Sequence, residues 1–157
     1  MKPNIGITNK KLNEVNALLS IVLANQVTVY TKTRKFHWNV SGGNFMEFHK
    51  LFENQYKQLE ASIDEVAERI GKLGGKAIGT MQEFGKLSSI KEHPGKNPTS
   101  KEMIAELLND HETVINHLRK SVDQCSQKHD DVGTADLLTK LMEEHETIAW
   151  TLRRYLN

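Results

Sequence analysis

The sequence predicts an all-α protein, a four-helix bundle forming one domain over residues 1–157 with an N-terminal tail of about residues 1–8. The chain has three prolines, Pro3, Pro94 and Pro98, so a long stretch after the first is free of the strongest helix breaker. Four segments place apolar residues at intervals of three and four, as one buried helix face requires. No segment alternates with a period of two, so no strand is predicted.

The first two helices are predicted over about residues 9–38 and 44–70, joined by a Ser-Gly-Gly-Asn turn at residues 41–44. The apolar or semi-apolar stripe of the first helix runs from Leu12 to Tyr30 and then His37. The stripe of the second runs from Phe45 to Ile70 with steps of three and four. Glycines at positions 71, 74 and 75 end this helix.

The second half repeats this pattern after a long crossover. Residues 76–98 are predicted to be irregular, with one short helix near residues 81–84. Thr99 or Ser100 caps the third helix, with Glu102 placed to complete the cap, and its stripe extends to Cys125. A break at residues 130–134 precedes a fourth helix over about residues 134–156. Short first and third connections around a long crossover predict the ferritin-like bundle connectivity.

Composition excludes several classes of protein. Lys and Arg (21) nearly cancel Asp and Glu (20), giving a net charge of +1, which is not the balance of a dedicated nucleic-acid binder. No apolar run is long enough for a membrane helix, and the N-terminus does not resemble a signal peptide. The single cysteine, Cys125, cannot form an internal disulfide. We therefore expect a cytoplasmic protein with no membrane partner.

A polar arc lies beside the apolar stripe of the second helix. On a helical wheel of about 100° per residue, Glu53 falls about 40° from His49, Asp64 about 60° and Glu68 about 100°. A solvated face is the alternative interpretation, with ion pairs such as Glu53 to Lys57 and Glu65 to Arg69. However, acidic residues repeat at steps of four along this face, where like charges repel. These residues are Glu60, Asp64 and Glu68.

The axial spacing divides this arc into two half-sites. Glu53 and Asp64 are eleven residues apart, about 16 Å along a helix, which no single ion spans. His37 ends the first helix, so an antiparallel hairpin brings it near His49 and Glu53. A second copy of the chain, related by a two-fold axis, completes both half-sites. Mixed imidazole and carboxylate ligands suit iron, with zinc or manganese as the other candidates.

These residues carry a family resemblance. The segment Lys-Phe-His-Trp-Asn-Val-Ser-Gly at residues 35–42, followed at this spacing by His49, Glu53 and Asp-Glu-Val-Ala-Glu-Arg at residues 64–69, closely resembles the Dps family of mini-ferritins. The resemblance implies a ferroxidase that assembles as a dodecameric hollow cage with iron centres at dimer interfaces. Such a cage oxidises ferrous iron, preferentially with hydrogen peroxide, stores ferric mineral and protects against oxidative stress.

The resemblance also implies roles for individual residues. The family's iron ligands match His37, His49, Asp64 and Glu68. Glu53 stands where many members have Asp, which keeps the charge but lengthens the side chain. Trp38 matches a tryptophan beside the centre that handles oxidising equivalents, whereas composition alone favours a buried aromatic.

The acidic break before the last helix has two interpretations. Asp130, Asp131 and the later Asp136 resemble the residues that line the family's three-fold iron-entry pores. Acidic residues at a helix N-terminus are equally well explained by the helix dipole. In a three-fold assembly both interpretations hold together.

DNA binding is expected to be weak or absent. The family often binds DNA through a lysine-rich tail, but this N-terminus offers only Lys2, Lys10 and Lys11, and the chain ends at Asn157 without a basic extension. The alternative function is a non-enzymatic, nucleoid-associated cage.

The alternative metal site lies inside the bundle at His111 and His145, for which hydrogen-bonded core histidines are the competing interpretation.

Overall fold

The computed structural model describes residues 3–156 and confirms the all-α prediction. Lys2 and Asn157, which enter the expectation about DNA, lie outside the described residues. Within residues 3–156 there is no strand. The chain forms five α-helices: α1 (Asn9–Asn39), α2 (Phe45–Lys72), α3 (Met81–Leu87), α4 (Ser100–Asp123) and α5 (Val132–Arg154).

Two helical hairpins form the bundle. α1 packs along α2 and α4 packs along α5, while α3 lies in the crossover against α1. The crossover is tied down by polar groups, since the Asn25 amide oxygen accepts hydrogen bonds from the backbone of Ser89 and the hydroxyl of Ser88. The core has two clusters, one mostly aliphatic and one that also contains the three buried phenylalanines Phe36, Phe48 and Phe52. Its largest fully buried members include Phe52, Leu19, Leu23, Leu59, Leu107, Leu118, Leu138 and Leu141.

Side-chain caps explain why the helices begin where they do. Thr99 and Glu102 form the predicted capping box, in which the Thr99 hydroxyl accepts from the Glu102 amide and the Glu102 carboxylate accepts from the Thr99 amide. Thr80 and Glu83 form the same motif at the start of α3, and this helix runs to Leu87, beyond the predicted residues 81–84. No residue of α3 is buried in the single chain. Its contribution to the core is the partly buried Phe84, which packs against the main hydrophobic cluster.

The connection between α4 and α5 differs from the prediction. α4 continues into one turn of π-helix, Gln124–Lys128, and α5 begins at Val132, two residues earlier than expected. Asp130 takes the left-handed conformation with φ of 56°, which turns the chain so that Asp131 caps α5. Of the residues interpreted as a break, Asp131 is thus the N-cap of the last helix, and residues 132–134 are its first turn.

None of the helices within residues 3–156 combines the length and the hydropathy that crossing a membrane requires.

Candidate metal centre

His37 and His49 face each other where α1 ends and α2 begins. Their rings stack with centroids 3.8 Å apart and an interplanar angle of 20°. His37 Nδ1 lies 2.8 Å from the carbonyl oxygen of His49, and His49 Nδ1 lies 2.9 Å from the carbonyl oxygen of His37. A carbonyl oxygen only accepts, so each Nδ1 carries a proton and donates it. The two side chains are locked by a reciprocal pair of hydrogen bonds.

This lock determines which ring nitrogen is free to bind a metal. A neutral imidazole that is protonated at Nδ1 carries its lone pair on Nε2. Hydrogen bonding of the other ring nitrogen to a carbonyl is the usual way in which proteins orient a metal-binding histidine. His37 and His49 therefore present two prepared Nε2 donors on adjacent, half-buried rings. The hairpin prediction placed the two residues together but contained no sign of this lock.

Glu53 lies one turn after His49 on α2, and its carboxylate is held by two lysines. Lys50 donates to Oε2 at 2.7 Å and Lys57 donates to Oε1. Hydrogen bonds from Lys50 and then Lys57 lower the pKa of Glu53 to about 2. The carboxylate is consequently ionised at neutral pH. The proposed ion pair of Glu53 with Lys57 is confirmed.

The other suggested ion pair on this face is wrong. Glu65 pairs with Lys140 of α5 at 2.8 Å rather than with Arg69. Arg69 instead reaches Asp131 at the start of α5, also at 2.8 Å. Both side chains lie close enough to α5 to pair with residues there. These partners on α5 replace the pairing between neighbours on α2 that the spacing of four residues suggested. The two contacts pin α2 to α5.

Asp64 and Glu68 lie further along α2 and are both exposed. Glu68 pairs with Lys72 at 3.0 Å. Along the helix axis Asp64 is about 16 Å from Glu53, so one chain does not bring the two half-sites together. Within residues 3–156 no group of three or more His, Cys, Asp or Glu side chains is arranged to hold a metal ion. The structure thus joins His37 with His49 and leaves Asp64 and Glu68 apart from them.

Trp38 is 65% exposed in the single chain, so its interpretation as a buried aromatic is wrong. The guanidinium of Arg34 lies 5.4 Å from the Trp38 ring centroid and 4.9 Å from that of Tyr56. Tyr56 in turn meets the His37 ring edge-on at 5.3 Å. Arg34 and Tyr56 were missed in the sequence, although Tyr56 follows His49 by two helical turns and so shares its face. An aromatic and cationic rim therefore surrounds the imidazole pair.

His111 and His145 form a hydrogen-bonded pair at the centre of the bundle. Their Nδ1 atoms are 2.7 Å apart, and His145 Nε2 lies 3.1 Å from the side-chain oxygen of Gln26. Both side chains are buried, and burial lowers the pKa of His145 to about 4 and that of His111 well below its usual value. The two imidazoles are neutral at physiological pH. This geometry is that of core histidines, one of the two interpretations considered.

The three acidic residues near the start of α5 occupy different environments. Asp131 is buried; it accepts from the backbone and hydroxyl of Thr134 and pairs with Arg69. Asp130 is exposed and pairs with Lys11, and hydrogen bonding to Lys11 lowers its pKa. Asp136 is exposed on the outer side of α5. Of these three residues, Asp130 and Asp136 offer carboxylates to solvent in the single chain.

We predict that Asp131→Ala lowers the free energy of unfolding by about 2 kcal/mol, because it removes the helix cap and leaves Arg69 without its carboxylate. Urea unfolding at pH 7 measures this difference. Asp131→Asn keeps a capping side chain and should lose less. Asp130→Asn, which removes an exposed ion pair at a left-handed residue, should lower stability far less than Asp131→Ala does. Equal losses for Asp131→Ala and Asp130→Asn would contradict the assignment.

Comparison with known proteins identifies relatives over almost the whole chain. The family model described as Ferritin-like domain matches residues 16–157. The chain is 45% identical over 153 residues to a low temperature-induced protein of Nostoc sp., covering 98% of this chain and 86% of the relative. It is 38% identical to DNA protection during starvation protein 2 of Bacillus anthracis, with 95% of this chain and 99% of the relative covered.

Solved structures agree with these relatives. The Dps protein of Vibrio cholerae O1, described as a member of a superfamily of ferritin-like diiron-carboxylate proteins, superposes with a TM-score of 0.93 at 28% identity, covering 99% of this chain and 97% of the other. A Dps protein of Bacillus brevis superposes with a TM-score of 0.90 at 33% identity, covering 96% and 100%. Fold, sequence and coverage point the same way: the chain belongs to the Dps family of ferritin-like proteins.

Proposed function

We propose that this protein is a cytoplasmic ferroxidase and iron store that oxidises ferrous iron, preferentially with hydrogen peroxide, and thereby protects the cell against oxidative stress. One observation carries the proposal. The locked pair of His37 and His49 presents two Nε2 donors at one end of α2, and the carboxylates of Asp64 and Glu68 lie exposed about 22 and 28 Å further along the helix from His49. Each set is half of a mixed imidazole and carboxylate site.

Two copies of the chain complete the site. If the α2 helices run antiparallel across a two-fold axis, His37, His49 and Glu53 of one subunit face Asp64 and Glu68 of the partner subunit. The surface supports a partner, because the outward side of α3 carries Met81 at 72% and Leu87 at 39% exposure. Such dimers are the building blocks of the proposed dodecameric cage, whose interior holds ferric mineral.

The chemistry of these residues suits iron oxidation, with zinc or manganese as the other candidate metals. Neutral imidazoles bind the ferrous ion, and ionised carboxylates stabilise the additional charge of the ferric product. Two ferrous ions supply the two electrons that cleave the O–O bond of one peroxide, giving two ferric ions and two hydroxides. Because the peroxide receives both electrons, the one-electron reduction that would release a hydroxyl radical is avoided. Exposed Trp38, at the same end of α1, is proposed to capture stray oxidising equivalents.

Iron is proposed to reach the interior through acidic three-fold pores. Asp130 and Asp136 offer the exposed carboxylates that concentrate a divalent cation at such a pore. Asp131 supports the pore indirectly, since both of its oxygens are used in capping α5 and holding Arg69.

DNA is proposed to bind weakly or not at all, because the described N-terminal segment, residues 3–8, contains no Lys or Arg. The paired half-sites favour the ferroxidase over the alternative, a non-enzymatic nucleoid-associated cage.

We predict that the double variant His37→Ala and His49→Ala oxidises ferrous iron with peroxide more than about tenfold slower than wild type, because both prepared donors are removed. Stopped-flow absorbance of the ferric product measures the rate. The control is His93→Ala with His117→Ala, which removes two histidines outside the site. Solution mass should remain about twelve times 17.9 kDa in all three proteins. Equal rates in wild type and the His37, His49 variant would overturn the site.

A further inference from the structure

Both oxygens of the Glu53 carboxylate accept a hydrogen bond from a lysine. Lys50, one turn earlier on α2, donates to Oε2 at 2.7 Å, and Lys57, one turn later, donates to Oε1. The side chain of Glu53 is 23% exposed, whereas Lys50 and Lys57 are 63% and 58% exposed. Two exposed ammonium groups thus cover a carboxylate that lies one helical turn after His49 on α2.

The other half-site repeats part of this arrangement. Glu68 pairs with Lys72 at 3.0 Å, again four residues later, which is the favoured orientation for an acid and a lysine on a helix. Exposed ion pairs of this kind contribute little free energy, and salt screens them. A divalent cation can therefore displace the lysines at small cost. In its absence they neutralise acids that would otherwise repel one another.

We propose that Lys50 and Lys57 are positioning residues that act as counter-ions for Glu53, holding its carboxylate back until a divalent cation displaces them. The inference rests on the proposed function, since it concerns the same site. It assigns an order to binding: the imidazole nitrogens and Asp64 of the partner subunit engage a cation first, and the lysine-paired Glu53 engages last. The lysines thereby weaken the binding step that uses Glu53 and keep the empty interface close to electrical neutrality.

The experiment titrates the assembled protein with Co²⁺, whose visible absorption reports its ligands without any redox reaction. We expect Lys50→Ala with Lys57→Ala to tighten the weaker Co²⁺ binding step by about threefold to tenfold, the effect of removing two exposed ion pairs. Alanine preserves the exposed helix. Lys50→Arg with Lys57→Arg keeps both positive charges and should bind as wild type does. Lys101→Ala with Lys120→Ala makes the same change in net charge on α4 and should also leave binding unchanged.

Glu53→Gln separates the proposed mechanism from a general effect of charge. In that background the two lysine substitutions should no longer tighten Co²⁺ binding, because they have no carboxylate to release. The inference is overturned if Lys50→Ala with Lys57→Ala binds Co²⁺ as wild type does, or if the tightening persists when Glu53 is Gln. A wild-type protein that binds no Co²⁺ at all would instead overturn the proposed site, and this inference with it.

Discussion

Co-expressing two inactive variants should restore about one quarter of the wild-type rate of iron oxidation. The reason is that each proposed site takes half of its ligands from each subunit of a dimer. One variant carries His37→Ala and His49→Ala; the other carries Asp64→Asn and Glu68→Gln. Each alone should retain less than about a tenth of the activity. In a mixed dimer one site receives both defects while the other receives none. Equal co-expression makes about half of the dimers mixed, so about a quarter of all sites are intact.

The reciprocal mixture is the control. A chain that carries all four substitutions, co-expressed equally with wild type, leaves intact sites only in wild-type dimers, again about one quarter of the total. If each chain held a complete site of its own, this mixture would keep about one half of the activity and the first mixture would recover none. Stopped-flow rates per assembled chain distinguish the two arrangements. Absence of recovery in the first mixture would refute the shared site.

The bundle was predictable because its helices depend on local patterns. Three-and-four spacing sets the buried faces, and the capping box of Thr99 and Glu102 starts α4 where the sequence indicates. The beginning of α5 was misplaced for a physical reason. Two consecutive aspartates suggest a break, but the positive φ of Asp130 positions Asp131 as the helix cap. Composition does not reveal this backbone turn.

The grouping of His37 with His49, away from Asp64, was predictable from the short turn between the two helices and from helical spacing. What could not be predicted was the set of contacts that depends on hairpin register and side-chain conformation. The stacking of His37 on His49 requires the two helix ends to be aligned to within an ångström or so. Arg69 illustrates the same limit, because a partner on α5 replaces the neighbour that the spacing suggested.

The buried pair of His111 and His145 should make the protein less stable as pH falls from 7 to 5. Burial lowers the pKa of His145 from 6.5 to about 4, so over this range the unfolded chain binds a proton that the folded chain does not. Stability is therefore fully present above pH 6.5 and declines towards pH 4. His145 alone should cost about 2 kcal/mol between pH 7 and pH 5. His111, whose pKa is lowered by burial and by the charge of His145, acts in the same direction.

Urea unfolding of wild type and of His111→Gln with His145→Gln, at one protein concentration, tests this expectation. Glutamine cannot titrate, so the variant should lose most of the difference between pH 7 and pH 5. The window lies above the pKa of about 2 at which Glu53 takes up a proton, so that carboxylate does not contribute to the change. An unchanged pH dependence would show that the pair is not the cause. The same variant decides between the two candidate metal sites. If His111 and His145 only support the core, the variant oxidises iron at pH 7 at the wild-type rate. Loss of iron oxidation in the variant would instead place the metal centre inside the bundle rather than at the dimer interface.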